Sequence, residues 1–439
     1  MGYLPLLADW PASAIERLAA CSLRLAFRPL QLLAALPLAL FLSVLTAMLL
    51  RYSDLDFYPI DRIAFGLLCL SVATRAVIRR ENLFQWERIT WPMLALAGWA
   101  VAGVIGQPFN PETWSLVAAK FIIPFTLFHI ARLAFQRESD LRRFEIFALV
   151  VLAYLTFTAI AFLVGANSLI FPRYILDPSL GVHAGRARGP FLQAVANGVS
   201  LNMLGLLAFH AYRRGSAHGI KIVLLLASVP FAILATMTRA VWLSFAGSVI
   251  ALVFFSRNRR LQWTCVALVL VGLGAAAMVG TTQFGGALSD RLQERGPVDF
   301  RAAVYQGGWE MFLQRPLTGW GFHQMPAELP RYVSGYHEKI LYPHNTYLEL
   351  LVEHGVVGLG LYLWLMWEMW RLGKGKIPRE DRPGFLDQNF RQMWPIVLGV
   401  YWVNAAVVVM SYQFVNGLLF TMAGMLAAQH RRAEIGVAC

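Results

Sequence analysis

Charged residues are scarce in this chain, at 14% of 439, and carboxylates are the scarcer sign, with 25 Asp and Glu against 38 Lys and Arg. Hydrophobic residues make up 58%, and the mean hydropathy is +0.55. A water-soluble domain of this length cannot bury so much apolar surface, so the expected solvent is lipid. Cysteine is equally rare. Cys69 and Cys265 lie inside apolar runs, Cys21 precedes the first run and Cys439 is the last residue, so no structural disulfide is expected. Also absent are a phosphate-cradling glycine loop, a dinucleotide fingerprint and any cysteine spacing suited to a metal. No repeat or low-complexity tract stands out.

What is present is a succession of apolar runs. Runs and their polar breaks predict spans at 29–50, 59–78, 91–106, 114–135, 144–165, 191–212, 220–237, 240–256, 261–280, 356–370, 393–410 and 412–429. Each is close to the length that crosses a bilayer as a helix, and the first reads as an anchor rather than a cleaved leader. The expected fold class is therefore an all-α integral membrane protein of about twelve transmembrane helices, a single polytopic domain over 1–439. Roughly twice as many of the 38 Lys and Arg fall on the N-terminal side of the spans as on the other, which predicts cytoplasmic N- and C-termini. The net charge of +13 is thus explained by short loops, and no nucleic-acid partner is expected. The longest cytoplasmic segment, 371–392, is too short for an ATP-hydrolysing domain, which excludes transport driven directly by ATP.

Two segments on the opposite side are too long to be connectors, 166–190 and 281–355. The second lies between spans nine and ten and is expected to form a partly helical cap. Within it, 300–314 has Val304, Trp309, Phe312 and Leu313 at helical spacing; Arg315-Pro316 stops the run, and Gly319-Trp320-Gly321 makes a turn.

Chemistry-bearing residues gather in these segments. In Pro343-His344-Asn345-Thr346-Tyr347-Leu348-Glu349, Asn345 can cap the helix that follows, which places His344 at a helix mouth. A neutral imidazole there can take a proton from a hydroxyl, or serve only as an interfacial hydrogen-bonding group. Arg186 and Arg188 precede the sixth span, Arg239 interrupts the apolar stretch between spans seven and eight, and Arg301 opens the helical part of the cap. Guanidinium groups on one face suit a phosphate-bearing ligand, while local ion pairing or snorkelling is the plainer reading of each. His337 is close enough to His344 in sequence to assist it. Asp54 and Asp56 resemble spaced metal-binding carboxylates, but with Arg51 and Arg62 beside them a salt-bridged turn is the better reading, so no metal site and no cofactor is expected.

These residues carry a resemblance. His344-Asn345, nine residues, Gly355, two residues and Gly358 resemble the hallmark of the O-antigen ligase and polymerase family of bacterial envelope glycosyltransferases. Thr236-Met237-Thr238-Arg239-Ala240-Val241-Trp242-Leu243 resembles that family's Thr/Ser-Arg entry into a helix. Trp309-Glu310-Met311-Phe312, followed by Pro316-Leu317-Thr318-Gly319-Trp320-Gly321, resembles its outer-loop motif. The three occur in order over roughly 230–365.

The resemblance implies a transferase in the bacterial inner membrane, multi-pass, with its site facing the periplasm. It would move a polysaccharide from undecaprenyl pyrophosphate to a sugar hydroxyl, in ligases one on lipid A–core. It implies His344 as general base and Arg239 and Arg301 on the pyrophosphate, with Arg188 and Arg186 as further candidates and Asn345 and His337 in support. No metal is required where arginines supply the positive field, and direct attack by the hydroxyl predicts inversion. The same family offers polymerases and protein O-oligosaccharyltransferases as alternatives. From another class, a secondary transporter or flippase for a lipid or anion is the rival, although such folds show two similar halves and these halves differ.

Overall fold

The computed structural model describes residues 30–50, 60–83, 86–105, 107–255, 296–322, 324–333, 341–374 and 384–437, with isolated positions at 259, 262, 263, 267, 270, 286 and 335. Among the described residues the structure is helical, with no strand. In chain order the main helices are α1 (Pro37–Leu50), α2 (Ile60–Arg79), α3 (Thr90–Ala102), α4 (Pro111–Ala134), α5 (Glu138–Leu163), α6 (Ala194–Arg214), α7 (Ile220–Ala235) and α8 (Arg239–Phe255). Then follow α9 (Gly296–Gln314), the short α10 (Gln324–Glu328), α11 (Thr346–Leu372), α12 (Gln388–Ala405) and α13 (Gln413–Val437).

Helices occupy eleven of the twelve predicted spans; the ninth, 261–280, and the start of the cap fall almost wholly outside the described residues. Four helices, α4, α5, α6 and α11, are long and apolar enough to cross a membrane by length and composition, and α1, α3, α7 and most of α8 are shorter apolar helices. Their apolar side chains point outward as well as inward. Leu70, Leu94, Val150, Leu224, Leu243 and Phe254 are all exposed, which water would penalise and lipid accepts. The exception is α6, the central helix, with 94% of its apolar window buried. It packs against α5, α7, α8 and α12, while α13 lies along the second half of α4. Asn202 of α6, Ser244 and Ser248 of α8 and Asn404 of α12 join these helices by hydrogen bonds such as Asn404 Nδ2 to Ser244 Oγ, 2.9 Å.

The cap builds its own small core. Val304, Met311 and Phe312 of α9 pack with Met325, Leu329, Val333 and Leu341, and with Leu348 and Val352 of α11. The helical reading of 300–314 is correct in place, but Trp309 and Leu313 face outward and Met311 takes the inward position. The re-entering helix begins at Thr346, where Asn345 is expected to cap it: Asn345 accepts from the Tyr347 and Leu348 N–H groups at 2.9 and 3.1 Å, and the helix starts ten residues ahead of the apolar span 356–370.

Two ends of the bundle can be told apart by their contacts. At one end Tyr174 Oη donates to the Leu50 and Pro190 carbonyls, the Ala187 N–H donates to the Ala235 carbonyl, and Thr346 Oγ1 donates to the Val408 carbonyl. At the other end Arg132 meets Glu87, Arg214 meets Glu138 and Glu145, and the Phe385 N–H donates to Glu138. The first is called the site end here and the second the far end.

Candidate functional site

The predicted site residues described by the structure lie at the site end, on four segments tied in two pairs. Segment 183–190 is held by Ala187, whose N–H donates to Ala235 and whose carbonyl accepts from Asn197 Nδ2 at 2.9 Å. This sets Arg186 beside the turn that carries Arg239. In that turn Met237 has φ 49°, Thr238 Oγ1 donates to the Thr236 carbonyl, and the Trp242 indole donates to the Ile233 carbonyl at 3.1 Å. The Thr-Met-Thr-Arg…Trp pattern is therefore a way of ending α7, turning sharply and starting α8 with Arg239 as its first residue.

Tyr305 joins the other two segments. Its hydroxyl reaches the His344 carbonyl at 3.2 Å and the Ala406 carbonyl at 3.5 Å, so α9, the mouth of α11 and the end of α12 meet there. Burial raises the Tyr305 hydroxyl from its ordinary value, against the opposing effects of the nearby Arg301 charge and an Asn345 side-chain hydrogen bond, and it stays a donor at neutral pH. Phe300 packs edge-on against the His344 ring with centroids 6.1 Å apart. Arg301, the next residue, is half-buried, and among the described residues no ion pair engages it, including with Asp299. His344 itself is half-buried with φ 49°, a left-handed conformation that costs free energy for a residue with a Cβ. The Tyr305 hydroxyl and the Asn345 cap hold it there.

Gly355 of the hallmark meets the turn that carries Gly319 of the outer-loop motif, next to this site. Gly355, at φ 65° and ψ −166°, breaks α11. The break frees backbone groups that the turn 316–321 then satisfies: the Trp320 and Gly321 N–H groups donate to the Val352 and Glu353 carbonyls at 2.7 and 2.8 Å, and the Val356 N–H donates to Pro316 at 2.8 Å. The approach is so close that a Cβ on Gly355 would lie 2.2 Å from the Leu317 oxygen, and one on Gly319 2.5 Å from the Glu353 carbonyl carbon. Both glycines act as backbone locks that fix the cap to the helix carrying His344.

Arg188 has a different place. Its side chain is 1% exposed, and its Nη atoms donate to the Leu180, Ile175 and Asp177 carbonyls at 2.5, 2.9 and 2.9 Å. That guanidinium is spent on folding the loop, contrary to the expectation of a ligand-facing arginine. His337 lies outside the described residues, as do Asp54 and Asp56.

Sequence reasoning missed a buried charge cluster under the site. Lys120 lies on a π-helical turn of α4 (Ala118–Ile122) and meets Glu349 at 2.9 Å and Glu353 at 3.3 Å, all three side chains nearly buried. Phe322 covers the ammonium at 5.1 Å. The signal was there in part: Lys120 stands alone in an apolar run, and Glu349 and Glu353 share a helix face by their spacing of four. Their meeting across more than 200 residues was not readable.

Apolar outward faces and four helices long and apolar enough to cross a bilayer are features of an integral membrane protein, and four of the strained non-glycine turns lie at one end of the bundle. Residues 222–363, about a third of the chain, match the family model described as O-antigen ligase, and that segment is O-antigen ligase-like. The match contains Arg239, Arg301, His344 and both backbone-locking glycines; Lys120, Arg186 and Arg188 lie outside it. No curated protein matches the chain.

Proposed function

We propose that this protein is an O-antigen ligase: it transfers a polysaccharide from undecaprenyl pyrophosphate to a sugar hydroxyl of lipid A–core at the periplasmic face of the bacterial inner membrane. What supports the reading is that Arg186 and Arg239 lie on one pair of hydrogen-bonded segments and Arg301 and His344 on another, at the same end of a helical bundle, with Arg239, Arg301 and His344 inside the O-antigen ligase-like segment. His344 is the general base. Its ring takes the proton of the acceptor hydroxyl as the oxygen attacks the anomeric carbon, and the bond to the pyrophosphate oxygen breaks with inversion. Arg239, Arg301 and Arg186 neutralise the leaving diphosphate, which removes the need for a metal. Arg188 is left out of this clamp, since three carbonyls already engage it.

A lipid-linked donor accounts for the membrane fold. The prenyl chain stays in lipid while its head group meets the arginines at the site end, and this confinement raises the effective concentration of donor at the base. The energy comes from the diphosphate bond already made.

The test uses the purified full chain, reconstituted with undecaprenyl-pyrophosphate-linked glycan and offered lipid A–core or a second lipid-linked glycan. Product on lipid A–core, with inverted anomeric configuration and a rate unchanged by chelator, is the expected outcome. Extension of the lipid-linked glycan with no product on lipid A–core would make the protein a polymerase. Inhibition by chelator would return Asp54 and Asp56 as metal ligands.

A further inference from the structure

The largest apolar cavity among those described lies away from the site. It has a volume of about 570 Å³ and opens between α2, α3 and α4, with Cys69, Ala73, Met93, Ala97, Phe125 and His129 in its wall. Leu83, Trp86, Thr90 and Leu133, near the far end, complete its lining. A cavity of this size and lining suits an alkyl chain, and its polar needs are few.

What stands at its far-end rim identifies the rest of the ligand. Trp86 stacks on Trp91 with centroids 5.3 Å apart, and both indoles are exposed, as aromatic side chains are where hydrocarbon meets head groups. Arg75, Arg79 and Arg80 lie toward the end of α2, Arg88 lies just before α3, and Arg132 lies on α4 next to the lining residue Leu133. The local carboxylates are already engaged: Glu87 by Arg132 at 2.5 Å, and Glu81 by Arg75 at 3.1 Å and Arg79 at 3.8 Å. The Arg79 side chain is nevertheless 53% exposed, and Arg80 and Arg88 are exposed as well. Five guanidinium groups against two carboxylates leave a surplus of positive charge at the mouth of an apolar slot.

We propose that this groove is a binding site for an anionic phospholipid, with one acyl chain lying between α2, α3 and α4 and the phosphate resting among Arg79, Arg80 and Arg88. The charge surplus selects the head group and the apolar walls hold the chain. Because the rim is at the far end, opposite His344, this is not the donor site, and the proposal stands or falls independently of the transfer reaction. Its effect on the fold follows from its place: the occupant would fill the space between α3 and α4, and α4 carries Lys120 toward the ion cluster under His344.

The experiment places the full chain in phosphatidylcholine nanodiscs doped with phosphatidylglycerol or phosphatidylcholine bearing a photoreactive group midway along one acyl chain, and maps the cross-linked peptides by mass spectrometry. The phosphatidylglycerol probe is expected to concentrate on 69–73, 93–97 and 122–133. Ala97→Trp, which fills the groove, should reduce those cross-links several-fold while sparing the rest of the belt. The pair Arg79→Ala and Arg88→Ala, both on exposed side chains, should cut phosphatidylglycerol labelling several-fold and leave phosphatidylcholine labelling unchanged. Equal labelling by both probes in the wild type overturns the anionic head group. Labelling spread evenly around the belt and indifferent to Ala97→Trp, in a variant whose unfolding midpoint is unchanged, overturns the site.

Discussion

At the far end Arg75, Arg132 and Arg214 each meet a glutamate, whereas at the site end Arg188 meets three carbonyl groups and the backbone itself makes the closest contacts. The far end is an ion-paired surface that holds helices in register. The site end is a set of turns forced into uncommon conformations. Among the described residues, five non-glycine residues have positive φ, and four of them, His183, Leu192, Met237 and His344, sit at the site end. Strain of that kind persists only where the surroundings enforce it, and here the enforcing groups are Tyr305, Asn345, Asn197 and the turn 316–321. The comparison separates an end held by side-chain ion pairs from one held by backbone turns.

The contrast can be broken or sharpened by substitution. The largest effect is expected from His344→Ala, which should lower the rate of transfer by about 10²–10⁴ while expression and unfolding midpoint stay near wild type. Gly355→Ala comes next, because its methyl group has no space: stability should fall by about 3 kcal/mol or more, read as a lower thermal midpoint. Gly360→Ala, a position with nothing within 4 Å, should leave the midpoint unchanged, and equal behaviour of the two would remove the backbone lock. Arg239→Ala and Arg301→Ala should each reduce kcat/KM for the donor by about 10–100-fold, as expected for loss of a charge-assisted contact. Arg132→Ala at the far end should do the reverse, lowering the unfolding midpoint with kcat/KM of the folded protein retained. The smallest effect belongs to Tyr305→Phe, where loss of one hydrogen bond of about 1 kcal/mol should slow turnover a few-fold with donor KM unchanged.

Much of this was legible from residue order. Apolar runs located eleven helices, since lipid-facing helices keep an apolar face that soluble ones lack, and Thr238-Arg239 marked the turn between α7 and α8. The mouth of α11 was readable through Pro343 and Asn345, because a cap is a local device. The number of crossings stays an expectation, with four helices long and apolar enough by length and composition. What could not be read was non-local. Arg188 looked like Arg186 in sequence, yet its partners are carbonyls eight to thirteen residues away in a loop whose path no periodicity predicts. Lys120 finds Glu349 and Glu353 across 229 and 233 residues. Gly355 and Gly319 were readable as parts of motifs but not as backbone locks, since their meaning lies in the contact between α11 and the turn 316–321.

The most direct test measures donor binding and single-turnover transfer side by side for His344→Ala and Arg301→Ala, with undecaprenyl-pyrophosphate-linked glycan and lipid A–core. The account predicts that His344→Ala keeps the wild-type Kd for donor and loses the chemical step, while Arg301→Ala loses donor affinity. A His344→Ala protein that transfers glycan at close to the wild-type rate would contradict it.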